Sequence, residues 1–399
     1  TTLNNTVAVL LTSPVKTVTA LTQTNDLLSN QTTNTIANTA ILGDFVRYKS
    51  TRRFTTDWDN GVEIRPGYVD GEILKIKTAT STTLEFENAP FLNFPVSTQD
   101  GVEFFTPTKG GGINNVDFIG ISSTNQNNYG LILNTWDGFK IGTLRFSNFN
   151  VAGLQINKCM NVSWDNIYTI GGTSDLGLNY GVSINDGSKY INGNNVRAKG
   201  CRHVIAGVGT GYAIPMYVDV QNVIGEASVS HTADAHGNTA FFTYHNVVGN
   251  NGFSLSGIGH RVVKAVINGG FLAFANEGGI QLTFNDIYAK NINRLTQSNS
   301  IKNSFFGKIR LEFKGLNPSG TLGFRILSTN NSFDELSIIN TDFILGGTAV
   351  ENDATVNANS IYGMTFQEGW RINKFYAEGF PIGMFCSAKN ISIGEFKLL

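Results

Sequence analysis

The sequence predicts an all-β chain wound as a parallel solenoid, and three observations carry that reading. The first is composition. Of 399 residues only 15% are charged, while Gly numbers 44 and Phe 28. Long helices would need Glu, Lys and Arg on their outer faces, and here Asn, Thr and Ser supply the polar surface instead. A 41% hydrophobic content with a net charge of -1 is enough to bury a core, which excludes disorder. The second and third observations are two internal repeats, the signature of a repeat architecture.

One repeat follows the pattern G-[LV]-x-[IL]-N: Gly130-Leu-Ile-Leu-Asn134, Gly153-Leu-Gln-Ile-Asn157 and Gly181-Val-Ser-Ile-Asn185, with weaker copies from Gly252, Gly270 and Gly323. Each copy alternates like a strand and is too short for a helix. Between them runs a second strand: Val162-Ser-Trp-Asp-Asn166, Val218-Asp-Val-Gln-Asn222, Phe242-Thr-Tyr-His-Asn246 and Leu282-Thr-Phe-Asn-Asp286. Val196-Arg-Ala-Lys-Gly200 and Val263-Lys-Ala-Val-Ile267 fit the same frame, so that the starts at 196, 218, 242, 263 and 282 are 22, 24, 21 and 19 residues apart. Two or three short strands in such a period make one coil of a solenoid. Coils stacked about 4.8 Å apart put equivalent residues above one another. A column of Asn can then hydrogen-bond along the axis, and Asn and Gly suit left-handed corners.

The elements follow in order. Thr1 to Ala40 is polar, with a short apolar run at Val7 to Leu11, and is expected to form an arm or cap over the open strand edges of the first coil. Asp44 to Pro107 is strand-rich but non-repeating, with turn signals at Arg65-Pro-Gly67 and Asp70-Gly71, and predicts a small N-terminal module. The organisation is therefore 1–107 for arm and module and 108–399 for the shaft, whose coils run from about Ile113 and loosen after Leu295.

Composition also limits function. Lys+Arg 29 against Asp+Glu 30 leaves no basic field for nucleic acid or anionic lipid. No apolar run reaches the ~18 residues of a membrane span, and Thr1 to Leu28 does not read as a signal peptide. Cys159, Cys201 and Cys386 are widely spaced and expected to be buried free thiols. No metal or other cofactor is expected.

All five histidines, His203, His231, His236, His245 and His260, fall between positions 203 and 260. The repeat frame puts His231, Asp234, His236, His260, Arg261 and Glu277 in stacked turns along one edge. Beside that edge, outward strand positions carry Arg197, Lys199, Asp219, His245 and Lys264, with Tyr212 nearby. Rows of cations, acids and amides suit an extended hydroxylated polymer such as a polysaccharide; an ordinary solvated face is the competing reading. Trp136, Trp164, Tyr212 and Tyr244 are candidates for sugar stacking, Tyr244 at an inward register.

Two reactions fit. β-Elimination at a uronic acid needs a base for C5, an acid for the leaving oxygen and a clamp on the carboxylate. His236 or His260 can be the base, a neighbouring His or Tyr212 the acid, and Arg261 or Lys264 the clamp. Glycoside hydrolysis needs a carboxyl pair, and Asp234 with Glu277, or Asp219 with Asp234, are available. The His-rich inventory tilts the choice towards elimination.

The coil pattern from Ile113 to Leu399 and the Asp234-x-His236-Gly237 turn resemble the pectate-lyase-like, single-stranded right-handed parallel β-helix superfamily. Within it they most resemble bacteriophage tailspike depolymerases. The resemblance implies a homotrimer of parallel shafts, attached to the virion tail through its N-terminal side, that cleaves a bacterial capsular or other surface polysaccharide. A non-catalytic glycan-binding virion adhesin is the alternative. Polygalacturonases carry NTD, DD, GHG and RIK in that order. Here Asn340-Thr-Asp342 follows Gly259-His260 and the other elements are missing, so that scheme is not carried over. The calcium-binding Asp cluster of pectate lyases reduces to Asp219, so no metal is implied.

Overall fold

The computed structural model describes residues 4–12, 23–36, 43–53, 69–121, 126–171, 178–209, 213–292, 294–295, 298–299, 301–314, 326–327, 330–341, 365–366, 369–379, 385–386, 390 and 392–399. Among them the regular structure is strand, apart from one 3-10 turn at Val96–Thr98. Two parallel sheets form the shaft of a β-solenoid. The shorter stacks Asn4–Thr12, Gln126–Asn134, Ala152–Asn157, Tyr180–Asn185, His203–Val208, Ala233–Ala235 and Phe253–Leu255 in that order. The longer stacks Trp136–Phe149, Met160–Gly171, Lys189–Lys199, Met216–Glu226, Ala240–Gly249, Arg261–Asn268, Thr283–Ile292 and Phe305–Phe313, and continues to Ser392–Leu398.

The glycine-led repeats are successive strands of the shorter sheet. Leu131, Leu154, Val182, Ile205, Ala233 and Phe253 stand in one register column and fill the interior. The glycines permit the close approach of coil to coil: a Cβ on Gly153 would lie 2.9 Å from the Phe146 ring and 3.0 Å from the Gly181 carbonyl. The run at Val7 to Leu11 lies in the first strand of this sheet. It pairs in parallel with Gln126–Asn134, and the Trp136 indole donates to the Leu11 carbonyl at 3.0 Å. Cys159 and Cys201 are buried free thiols, and burial raises both to about 12; the Cys386 side chain lies outside the described residues.

The longer sheet contains the expected asparagine column, with its register corrected. Asn195 Nδ2 donates to Asn166 Oδ1 at 3.0 Å, Asn222 Nδ2 to Asn195 Oδ1 at 2.9 Å, and Asn246 Nδ2 to Asn222 Oδ1 at 3.2 Å. Ile191, not Val196, is opposite Val218, and Tyr244 is opposite Val262, so the frames starting at Val196 and Val263 were displaced. The longer strand Lys189–Lys199 holds two apolar runs, and only the ladder bond of Asn195 shows which one belongs to the frame. Below Asn246 the same column becomes Lys264, Asp286, Lys308, Glu335, Lys374 and Glu395, alternating in sign from coil to coil. Unlike charges thus stand on adjoining strands where the amide ladder has ended.

A second column turns the chain at each coil. Gly110, Gly138, Asn161, Tyr190, Tyr217, Phe241, Gly259, Gln281, Asn303, Asn330, Gly369 and Asn390 are all left-handed, with φ between 52° and 80°. Gly and Asn tolerate this conformation; elsewhere it costs roughly 1–2 kcal/mol per residue. Tyr190, Tyr217 and Phe241 therefore hold it against their intrinsic preference.

Residues 33–105 include an antiparallel sheet in the order Thr33–Thr35, Thr83–Phe86, Val69–Ala79, Phe45–Arg53 and Gln99–Phe105, with a core around Tyr48, Phe86, Phe94 and Phe104. It docks on the shaft through Phe91 and Leu92, which pack against Ile214, Met216 and Phe241. A buried ion pair crosses the junction. Lys189 Nζ lies 2.6 Å from Glu72 Oε1, and Glu72 also accepts the Phe91 and Leu92 amides at 2.9 and 3.0 Å. Burial holds Lys189 below the usual lysine range despite Glu72. Arg47 of this sheet reaches Asp186 of the shaft at 3.1 Å.

Replacing Asn222 by Ala removes an interior amide of the ladder and leaves the Asn195 acceptor and the Asn246 donor without their partner. The expected loss is about 1–3 kcal/mol, read as a lower urea midpoint; an unchanged midpoint would show that the ladder contributes nothing to stability.

Candidate functional site

The predicted residues separate into two groups on different sheets. One is buried on the shorter sheet. Asp234 lies within the strand Ala233–Ala235, opposite Ala206 and Ser254, and not in a turn. His236 follows two residues later, so that both project from the same face. His236 Nε2 is 3.2 Å from Asp234 Oδ2, and His236 Nδ1 is 3.1 Å from Glu277 Oε1. The second Glu277 oxygen accepts the Gly237 amide at 2.8 Å. His203 joins from the preceding coil, with Nε2 3.5 Å from Asp234 Oδ2 and Nδ1–H donating to the His231 carbonyl at 2.7 Å. The rings of Tyr180, His203 and His231 stack in a row, with centroids 5.6 and 6.1 Å apart.

This cluster brings together His231, Asp234, His236 and Glu277, but every member is at most 8% exposed. Burial would raise the Asp234 carboxyl; the neighbouring His236, His203, His231 and Arg202 outweigh it and hold Asp234 below the usual carboxylate range. Burial pushes His203 down and His231 down to about 4. The imidazole of His236 lodged between two carboxylates ties the Gly237 turn to the next coils. It leaves no water-filled gap between Asp234 and Glu277 of the kind a hydrolytic pair needs.

His260 stands apart from this cluster and is fully buried. Its Nδ1 accepts the Phe242 amide at 2.9 Å, and its Nε2–H donates to the Ser256 carbonyl at 2.9 Å. Both nitrogens serve the backbone, and burial pushes the ring down to about 3. These are the properties of a structural histidine.

The second group is exposed on the longer sheet. His245 Nε2 is 3.1 Å from both oxygens of Asp219, and Gln221 Nε2 donates to Asp219 Oδ1 at 3.0 Å. The side chains of His245 and Asp219 are 37% and 44% exposed. A carboxylate on Nε2 fixes the proton there and leaves Nδ1 as the basic nitrogen. Arg261, opposite Thr243, and Lys264, opposite Asn246, add cations on the next coil. The sequence pattern identified Asp219, His245 and Lys264 as outward-facing and put Arg261 in a turn, whereas Arg261 opens the strand Arg261–Asn268; that His245 and Asp219 form a dyad depends on side-chain direction.

Arg197 and Lys199 lie further along the sheet, opposite Ile224 and Glu226 and not beside Asp219, because the true register pairs Asp219 with Asn192. Arg197 Nε is bound to Glu226 at 2.7 Å. Tyr212 lies outside the described residues. Trp164 and Tyr244 are core residues, and Trp136 is packed on Phe139. Accessible rings occur instead at Tyr190 and Tyr217, whose left-handed positions the repeat frame did not flag.

No protein-family model matches the chain, and the search of curated proteins found no match. Solved structures do match in fold. The tailspike protein gp49 from Pseudomonas phage LKA1 aligns at a TM-score of 0.60 and 16% identity, covering 98% of this chain and 65% of its own. The tailspike gp61 of Pseudomonas phage phi297 aligns at 0.60 and 17%, covering 95% and 60%. The gp54 tailspike of Acinetobacter baumannii bacteriophage AP22, solved in complex with A. baumannii capsular saccharide, aligns at 0.55 and 15%, covering 96% and 64%. The chain thus has the β-solenoid fold of these tailspikes and spans somewhat under two thirds of their length.

The buried neutral histidines make stability depend on pH. With folded values of about 4 for His231 and about 3 for His260, the unfolded chain binds more protons than the folded one below about pH 6.5. Stability is therefore expected to fall as pH drops from 6.5 towards 4, by up to about 1.4 kcal/mol per pH unit for each histidine. Urea midpoints across that window should show the slope, and His260→Gln, which keeps a donor and an acceptor, should make it shallower. An unaltered slope would remove His260 from the account.

Proposed function

We propose that this chain is a phage tailspike that binds and depolymerises a bacterial capsular or other surface polysaccharide, by β-elimination at a uronic acid. The observation that carries the reaction is the exposed Asp219–His245 dyad with Arg261 and Lys264 on the following coil. In this reading a uronate carboxylate lies against Arg261 or Lys264, which lowers the charge built up when C5 loses its proton. His245 Nδ1 accepts that proton while Asp219 steadies the ring. The C4–C5 double bond forms as the C4–O bond breaks, and the leaving oxygen takes a proton from solvent. Hydrolysis finds less support, because His236 fills the space between Asp234 and Glu277, and Asp219 is on a different sheet from Asp234.

The fold similarity to three phage tailspikes supports the virion setting, and the saccharide bound to the AP22 tailspike supports the ligand class. In the same reading the chain is a homotrimer of parallel shafts, joined to the tail through its N-terminal side and acting at the host surface. Sedimentation is expected to give three times the 43.3 kDa chain mass.

Purified capsules incubated with the protein are expected to yield new reducing ends together with the ultraviolet absorbance of an unsaturated uronate. Reducing ends without that absorbance would replace elimination by hydrolysis, and binding without either product would leave an adhesin. His245→Ala and Asp219→Asn are each expected to lower kcat by about 100-fold or more, with the unfolding midpoint unchanged. Full activity in both would move the chemistry away from this dyad.

A further inference from the structure

The three aromatic residues in the left-handed corner column form a stack. Tyr190 lies on Tyr217 with ring centroids 5.3 Å apart, and Tyr217 on Phe241 at 5.1 Å, each pair within 6° of parallel. At one end Phe91 of the N-terminal sheet closes the stack edge-on against Phe241, at 4.8 Å. At the other end the next corner residue is Asn161, whose amide is turned to Asp137 Oδ1 at 2.7 Å. The stack of rings stops at Tyr190. There a cavity of about 390 Å³ opens between shaft and N-terminal sheet, lined by Tyr190, Tyr217, Asn161, Lys75, Glu87 and Asn88.

Two properties define what fits this cavity. Its volume lies within the ~300–1,000 Å³ usual for small-molecule sites, and its floor is an aromatic ring held in a backbone conformation that bulky residues avoid. Both of its lining lysines are paired: Lys189 with Glu72 at 2.6 Å, and Lys75 with Glu87 and with Asp137 behind the wall at 3.0 and 2.9 Å. Among the described residues that line it, no cation is left over to hold a carboxylate. Hydroxyl groups can bond to the amides of Asn88 and Asn161 and to the tyrosine hydroxyls, which burial keeps protonated.

We propose that this cavity is a saccharide subsite in which a neutral pyranose residue stacks on Tyr190. The inference rests on the glycan reading above and extends it. Tyr217 and Asp219 are two residues apart on one strand, about 7 Å, so a glycan seated at Tyr190 runs on towards the dyad. The substrate it selects is a polymer in which neutral sugars flank the uronate. Tyr190 acts here as a positioning residue.

The test uses the whole chain with chitotetraose, maltotetraose, cellotetraose and trigalacturonate, followed by saturation-transfer NMR. At least one neutral tetrasaccharide is expected to receive saturation. Tyr190→Asn, which gives the corner the residue found in the preceding coil, is expected to abolish that signal while keeping the unfolding midpoint at or above the parent's. His245→Ala is expected to keep the signal. On a capsule that the protein cleaves, Tyr190→Asn should raise KM about tenfold with kcat little changed. Transfer to trigalacturonate alone, transfer to none of the four, or equal transfer to parent and Tyr190→Asn overturns the subsite. A midpoint well below the parent's assigns the ring to folding and overturns it as well. Because the sugar arm needs no turnover, a failure of the elimination chemistry leaves this result readable, and cleavage of a capsule without neutral-sugar binding removes only the subsite.

Discussion

Coil-on-coil register is the constraint from which the rest of this molecule follows. Each coil hydrogen-bonds to the ones before and after it, so a residue's neighbours are set by its counterparts about 4.8 Å away. The left-handed corner repeats from Gly110 to Asn390 because every coil must turn at the same place. The amide ladder from Asn166 to Asn246 repeats because each side chain has a donor for one neighbour and an acceptor for the other. Where the amides end, the same column carries charges of alternating sign from Lys264 to Glu395.

That regularity gives meaning to the coils that depart from it. Tyr190, Tyr217 and Phe241 keep rings where Gly or Asn is cheaper, and they do so beside the N-terminal sheet. Polar groups divide by their access to water. Asp234, His236 and Glu277 are desolvated and satisfy one another, which suits them to holding the coils together. Asp219 and His245 remain in contact with solvent, where a dissolved ligand can reach them. Docking of residues 33–105 through Glu72 and Lys189 then makes a cleft beside the shaft that the solenoid alone would lack.

Much of this was readable from residue order. The β-solenoid, the asparagine column, the central position of the histidines and the outward facing of Asp219, His245 and Lys264 all follow from period and alternation, which are local properties. Register was less readable: Ile191 and Val196 each begin an apolar run of one strand, and only the position of Asn195 in the ladder shows which run belongs to which column. His260 illustrates a further limit, since a histidine bonded to the Phe242 amide and the Ser256 carbonyl has the same sequence signature as one that faces solvent.

By itself, then, the sequence determined the architecture and the set of residues able to do chemistry, because a repeat states its own stacking. Only the tertiary structure decided which of them are exposed, which histidines have carboxylate partners, and where an aromatic stack ends at a cavity. Burial and side-chain direction arise from chain segments far apart in sequence, such as Glu72 against Lys189 and Phe91 against Phe241, and no local pattern encodes those meetings.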